Sequence, residues 1–153
     1  MIEARTSTHG FIRSRLALRK RTERSTALIA FQSSTGSTKE RLLFTVNLGI
    51  LFHALLDGPL QQNPSVWDAH LRLRLGNLLP ERSDKWWELT PGTDALALGA
   101  NLTDAIEHQG VPYLEQFLVP EAMIALWETG VSPGLTDVQR LRFLERLKAR
   151  LAS

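Results

Sequence analysis

The chain has 153 residues, a formal net charge of +2 and no cysteine. The lack of cysteine excludes disulfide bonds, thiolate zinc sites and cysteine nucleophiles. The length predicts one domain, residues 1–153, with a core large enough to fold without covalent cross-links.

No segment of the chain resembles a membrane span or an export signal. The N-terminus has no apolar core of the kind found in secretory signals, and the most apolar stretch, residues 42–56, is interrupted by Thr45, Asn47, Gly49 and His53. Such a stretch is too polar to cross a bilayer. We therefore expect a soluble protein that resides in the cytoplasm.

Charge is distributed unevenly along the chain. Residues 1–24 hold seven Lys or Arg residues against two acids, whereas residues 86–139 hold eight acids and neither Lys nor Arg. This segregation can present a basic face to a polyanion, or the acidic half can pack beside the basic half and neutralise it.

Three segments of the N-terminal half alternate apolar and polar residues, which is the pattern of half-buried strands. They cover Gly10–Leu18, Thr26–Ser34 and Leu42–Ile50. The links between them are polar or rich in Gly, Ser and Thr, and the link at Ser33–Thr38 is predicted to be a hairpin turn rather than a phosphate-binding loop. Links this short predict an antiparallel meander, because a parallel return needs a longer crossover.

The alternation is strictest from His70 to Leu75, where leucines occupy one side of a predicted strand and His70, Arg72 and Arg74 the other. One side is expected to enter a core and the other to carry two guanidiniums.

A turn at Pro80–Asp84 then predicts a return strand at Lys85–Leu89. The adjacent Trp86 and Trp87 must point to opposite faces of such a strand, so one indole is expected to flank the arginines.

After Leu89 the apolar spacing becomes helical. Proline, glycine and capping residues predict helices from Thr93 to Gly110, from Pro112 to Leu118, from Glu121 to Thr129, and from Thr136 or Asp137 to the C-terminus. The predicted inward residues of the last two helices are Ile124, Trp127, Val138, Leu141, Leu144, Leu147 and Leu151. Strands followed by helices predict an α+β class: an N-terminal antiparallel sheet of about five strands, residues 10–90, packed on one face by helices of residues 93–151.

Several short motifs occur together in a fixed order. They are Gly10-Phe11, Phe31-Gln32-Ser33-Ser34, Phe44 to Ile50, His70 to Gly76 and Asp84 to Leu89. In combination they resemble a bacterial family known as domain of unknown function 4304, from about residue 10 to about residue 120. The resemblance implies an α+β fold and no assigned activity. Members usually carry a helix before the Gly-Phe pair, and since nine residues precede Gly10, we expect that helix to be shortened or missing and part of the sheet to be uncovered.

The candidate ligand-binding residues lie on the polar side of the predicted sheet: Arg72, Arg74, Asn47, His70 and Trp87, with Arg13, Arg15, Gln32 and Thr45 on the same side. Guanidinium forks beside an amide and an indole suit a carboxylate, a phosphate or single-stranded nucleic acid. The same arginines can instead be solvated, pair with the acids of residues 86–139, or face a partner protein. Asn47 lies in mid-strand, so its amide is expected to find a partner.

No arrangement of nucleophile and base is recognisable, and the four histidines lack a metal-ligand spacing. The sequence therefore predicts no catalytic residues, no metal and no cofactor. The leading hypothesis is a non-catalytic domain for protein–protein interaction. The alternative is a module that binds an anion or nucleic acid through Arg72, Arg74 and their neighbours.

Overall fold

The computed structural model describes residues 2–153 and confirms the α+β class, with an antiparallel sheet followed by helices. The strands are β1 (Ile12–Ser14), β2 (Ala17–Arg21), β3 (Ser25–Ser33), β4 (Leu42–Phe52), β5 (Leu71–Arg74) and β6 (Trp87–Leu89). The helices are α1 (Ile2–Ser7), α2 (Ala95–Ala105), α3 (Val111–Phe117), α4 (Pro120–Glu128) and α5 (Asp137–Ala152). The first five strands follow each other in the sheet in chain order, and β6 pairs with β4.

The core lies between the helices and one side of the sheet, which we call the helix face. Ile29 of β3 and Leu48 of β4 are neighbours across this face, and both are fully buried. They belong to the same apolar cluster as Trp127 of α4 and Leu147 of α5, which are also fully buried. Burial of each such side chain is worth about 1.5–3 kcal/mol, so this layer holds the sheet and helices together.

The opposite side of the sheet, the outer face, is partly covered by the chain between β4 and β5. Leu28 and Leu51 form a second apolar cluster there with Val66 and Ala69. This packing depends on Gly49, because a Cβ atom at that position would lie 2.9 Å from side-chain atoms of both Val66 and Ala69.

The prediction of a single strand over Gly10–Leu18 is wrong, because this region of the chain belongs to two strands, β1 and β2. The chain reverses at Arg15 and Leu16, and Ser14 pairs with Ala17. Arg15 has φ of 58°, the only positive φ of the two central residues, which is the sign pattern of a type II′ turn. Glycine usually occupies that position, so neither Arg15 nor Leu16 signals a turn in the sequence.

The prediction that the strand after Pro80 turns back alongside β5 is also wrong. β5 pairs with Asn47–Ile50 of β4 and β6 pairs with Leu42–Phe44, so both run antiparallel to β4 along the same edge. Residues 75–86 leave the sheet between them as a loop, which we call the excursion loop. Its base is closed at Gly76, where a Cβ atom would lie 2.3 Å from the carbonyl oxygen of Ser83.

The first two predicted helices form one helical run without a break at Gly110. Asp94, and not Thr93, caps α2 by accepting a hydrogen bond from the backbone N–H of Ala97 at 3.0 Å. A π-helical turn from Ile106 to Gly110 joins α2 to α3. Pro112 has no backbone N–H and cannot donate the hydrogen bond of a regular α-helix. The wider π-helical turn before it lets the helical run continue past this position.

Helix α5 begins as predicted at Thr136, which forms a capping box with Gln139. The predicted apolar stripe is only partly correct, because Val138 and Leu141 are 67% and 54% exposed. The inward side instead carries Phe143, whose ring lies 5.0 Å from the ring of His70, together with the buried Leu147. The predicted Leu144, Leu147 and Leu151 do pack against the core, so the predicted stripe fails only at its N-terminal end.

Candidate binding site

The acidic half of the chain neutralises much of the basic N-terminal segment, which favours the second interpretation of the uneven charge. The ion pairs are Arg5–Glu107 at 2.8 Å, Arg24–Glu121 at 2.7 Å and Lys20–Glu115 at 3.6 Å. The hydrogen bond from Arg5 lowers the pKa of the Glu107 carboxyl, and the one from Arg24 lowers that of Glu121. The pair Arg5–Glu107 also fastens α1, a short helix that does precede Gly10, to the end of α2.

Three arginines of the β1–β2 hairpin lack this compensation. Within residues 2–153, no carboxylate lies within 4.0 Å of the guanidinium of Arg15, Arg19 or Arg21. Arg13 differs from them because Nη1 contacts Glu3 of α1 at 2.5 Å. The register also places Arg13 beside Leu18, on the helix face rather than with Arg72 and Arg74.

Three of the predicted ligand-binding residues do lie together on the outer face. Asn47 of β4 pairs with Arg74 of β5, and Arg72 is two residues further along β5. The Asn47 amide donates to Oε1 of Gln32 at 2.8 Å, so the polar group in mid-strand has found a partner inside the chain. Arg72 donates from Nη2 to the carbonyl of Gly134 at 3.3 Å, and its backbone N–H donates to the carbonyl of Pro133 at 3.2 Å.

Arg74 is held between two residues of the excursion loop. Nη1 donates to Oδ2 of Asp84 at 2.6 Å, and the guanidinium carbon lies 5.1 Å from the ring centre of Trp86. An indole does flank the arginine, as predicted, but it belongs to Trp86. These contacts fasten both ends of the excursion loop and leave the guanidinium occupied by its own chain.

Trp87 lies away from the arginines, in the core. It is 3% exposed and stacks on Phe44 at 6.2 Å between ring centres. Strand alternation placed one indole inward and one outward, and the inward one is Trp87 because β6 pairs with β4 through Phe44.

His70 also lies apart from Arg72 and Arg74. It precedes β5, is 7% exposed, and contacts the rings of Phe52 and Phe143. Nδ1 accepts a hydrogen bond from the backbone N–H of Phe52 at 3.0 Å, so the neutral ring carries its proton on Nε2. Burial and the nearby Arg146 lower the pKa of His70 to about 4, which keeps the ring neutral at pH 7.

The site residues predicted from the sequence remain a prediction, but the contacts of Arg72, Arg74 and Asn47 favour a structural role. A better-formed cavity lies elsewhere, on the helix face of the β1–β2 hairpin, and we call it the hairpin cleft. Its volume is about 430 Å³. It is lined by Ile2, Glu3, Arg13, Arg15, Leu16, Ala17, Leu18, Phe31, Gly99 and Thr103.

The wall of the hairpin cleft is mainly apolar and its rim is charged. Leu18 is buried at the base, while Leu16 at the turn is 70% exposed. The carbonyl of Leu16 accepts from the N–H of Phe31 at 3.0 Å, so the backbone of the turn is fixed although the side chain is free. On α2, Leu96 lies three residues before Gly99 on the same helical face and is 81% exposed.

Sequence reasoning missed this cleft because it read the hairpin as one strand, which assigned Leu16 to the core. No glycine, proline or asparagine marks the turn. The residues predicted to bind ligands were selected by their alternation, and alternation does not show which guanidiniums are already bound by loops.

The described residues include neither a metal-binding cluster nor a membrane-spanning helix. Within residues 2–153, no three His, Asp or Glu side chains are grouped so that they could hold a metal ion. In the same range, no helix combines the length and apolar character required to cross a membrane.

The structure defines an α+β domain in which an antiparallel sheet carries a layer of helices on one face. A family model, Domain of unknown function (DUF4304), matches residues 6–116, and the chain belongs to this family. The resemblance inferred from the short motifs is thereby confirmed. No curated protein and no solved structure matches the chain.

The motif residues that carry this resemblance have identifiable structural tasks. Gly49 admits the segment that covers the outer face, and Gly76 closes the base of the excursion loop. Arg74, Asp84 and Trp86 fasten that loop. These motif residues therefore contribute to the fold.

Proposed function

We propose that the protein is a non-catalytic interaction domain that binds a segment of another protein in the hairpin cleft. The observation that carries this proposal is the exposed Leu16 at the rim of an apolar cavity of about 430 Å³. Exposed apolar side chains that border a concave apolar surface mark interaction sites.

The charges of the rim define the chemistry of the bound segment. Arg15 lies beside Leu16 and has no carboxylate within 4.0 Å among residues 2–153. A segment with one or two apolar anchors followed by an acidic residue fits this arrangement, since the anchors fill the cleft and the acid reaches Arg15. Charge at the rim mainly accelerates and orients association, and the buried anchor provides most of the affinity.

Backbone strain at the rim supports the same assignment. Arg15 holds a positive φ of 58° in a turn where glycine would be unstrained. A residue kept in an unfavourable conformation while its side chain faces a cleft is a feature of binding sites. We propose that the interaction takes place in the cytoplasm, a location with which the absence of cysteine from the sequence is compatible.

The test compares recovery of partners by the full chain and by two neutral variants. Wild type, Leu16→Gln and Leu141→Gln are used as bait in a native lysate at low and high salt. Leu141 is the matched control because it is an exposed leucine on α5, 54% exposed and outside the cleft.

A protein partner recovered in stoichiometric amount by wild type and by Leu141→Gln, but reduced about tenfold or more by Leu16→Gln, supports the proposal. A crosslink from a photoreactive residue at position 96 to the same partner supports it further. Equal recovery by all three baits contradicts the proposal, and so does the absence of any partner at both salt concentrations.

A further inference from the structure

A second cavity lies on the other side of the same hairpin, between the outer face and the chain that covers it. Its volume is about 340 Å³, and we call it the cationic cleft. Six of its eight lining residues have a polar or charged side chain, although apolar atoms form most of the cavity surface: Gly10, Ile12, Ser14, Arg19, Arg21, Thr26, Gln62 and Asn63.

The two arginines of the cationic cleft are fixed by backbone carbonyls rather than by acids. Arg19 donates from Nε to the carbonyl of Pro64 at 2.9 Å and from Nη1 to the carbonyl of Ser14 at 3.3 Å. Arg21 donates from Nη2 to the carbonyls of Gln61 and Gln62 at 2.8 and 3.0 Å. A guanidinium has five N–H groups, so each of these side chains is oriented by two bonds and retains further donors.

Within residues 2–153, neither arginine of this cleft has a carboxylate within 4.0 Å of its guanidinium. Arg19 is partly buried, and burial together with the nearby Arg15 lowers the pKa of its guanidinium. By contrast, Arg5, Arg13, Lys20 and Arg24 each have a carboxylate within 4.0 Å. A partly desolvated cation beside a second cation is stabilised when an anion binds between them.

We propose that the cationic cleft binds a phosphate group through Arg19 and Arg21. A carboxylate has two oxygens and one charge, whereas phosphate has more acceptor oxygens and a higher charge, which suits two pre-oriented guanidiniums and the neighbouring amides of Gln62 and Asn63. The phosphate can belong to a free nucleotide or to a nucleic-acid backbone. The site is independent of the hairpin cleft, because the two cavities lie on opposite faces of the sheet.

The experiment measures binding of three probes to the full chain by calorimetry: inorganic phosphate, ATP and a single-stranded homopolymer oligonucleotide. The variants are Arg21→Gln, Arg19→Gln and the double variant, with Arg142→Gln as the matched control. Arg142 is an exposed arginine of α5 that has no carboxylate within 4.0 Å in residues 2–153 and lies outside the cleft. Circular dichroism establishes that each variant is folded.

We expect at least one probe to bind wild type and Arg142→Gln equally, and to bind the double variant at least about tenfold more weakly. Preference for ATP with weak dependence on salt assigns the site to a free phosphorylated ligand. Binding of the oligonucleotide that falls steeply with salt assigns it to a nucleic-acid backbone. The proposal is overturned if no probe binds, or if Arg142→Gln weakens binding as much as the double variant does.

The outcome is separable from that of the hairpin cleft. Leu16→Gln changes no charge and lies on the helix face, so it should leave phosphate binding unchanged even if it abolishes recovery of a protein partner.

Discussion

The guanidinium carbon of Arg74 lies 5.1 Å from the ring centre of Trp86, at the opposite end of the excursion loop. Arg74 ends β5 and Trp86 directly precedes β6, so this contact joins the two points at which the chain leaves the sheet and returns to it. A salt bridge from Arg74 to Asp84 at 2.6 Å reinforces the contact. Arg74, which the sequence suggested as a ligand-binding residue, thus holds the two ends of the excursion loop together.

Replacement of Arg74 should therefore reduce stability. We expect Arg74→Gln to lower the free energy of unfolding by about 1–2 kcal/mol, because the partly buried cation–π contact and the ion pair are both lost. Urea denaturation measures the change, with Arg142→Gln as a control that should stay within about 0.5 kcal/mol of wild type. Equal stability of the two variants would show that Arg74 is free to act elsewhere.

A methyl group added at Gly76 should lower the free energy of unfolding far more than one added at Gly58. The Cβ of Gly76→Ala would lie 2.3 Å from the Ser83 carbonyl and 2.7 Å from the Lys85 backbone nitrogen. We expect a loss of about 2–3 kcal/mol, since backbone atoms have to move. At Gly58 a Cβ meets nothing within 4 Å, so Gly58→Ala should be neutral or slightly stabilising. Chemical denaturation of both variants tests the difference; similar midpoints would refute it.

Stability should fall between pH 6.5 and pH 4 because of His70. The pKa of His70 is lowered from 6.5 to about 4 in the folded chain, so the unfolded chain takes up the proton first as the pH decreases. The contribution of the neutral His70 ring to the free energy of unfolding is therefore fully present above pH 6.5 and is lost as the pH falls towards 4. The total loss is about 3 kcal/mol at most.

His70→Asn tests the assignment, because the asparagine oxygen can accept from the Phe52 N–H without titrating. Thermal or urea unfolding measured across the interval should show a flatter pH dependence for the variant than for wild type. Below about pH 4.5 both proteins should lose stability as Glu107 and Glu121, whose pKa values are lowered, become protonated. Parallel pH profiles of variant and wild type above pH 5 would contradict the role of His70.

Arg15→Gly should leave the fold at least as stable as wild type. The left-handed conformation costs a non-glycine residue about 1–2 kcal/mol, which exceeds the entropic penalty of glycine by about 0.5 kcal/mol. Arg13→Gly is the comparison: it places glycine within β1 and removes the contact with Glu3, so it should be destabilising. Melting temperatures of the two variants decide the matter, and a lower value for Arg15→Gly than for Arg13→Gly would contradict a strained turn.

The sequence was sufficient where one physical rule dominated. Alternation in β3 and β4 and the capping residue Thr136 defined their elements correctly. Prediction from the sequence failed where contacts between residues distant in the chain determined the structure. β6 pairs with β4 instead of β5, and Phe143 of α5, which the leucine spacing did not select, packs against His70.

The candidate site was less accessible from sequence than the fold. Alternation correctly brought Asn47 and Arg74 together, but it could not show that Gln32, Asp84 and Trp86 already satisfy them. Arg19 and Arg21 looked like ordinary members of a basic segment. Their distinction is a lack of nearby acids, which is a property of the folded surroundings and not of the pattern.

The carbonyl of Pro133 accepts the N–H of Arg72 from outside the sheet, at the margin of β5. A strand from a second molecule that approached this margin would find that donor already taken, and would have to displace the loop after α4 to add itself. The occupied donor therefore disfavours addition of a strand at β5, and with it growth of the sheet from one copy to the next through that border.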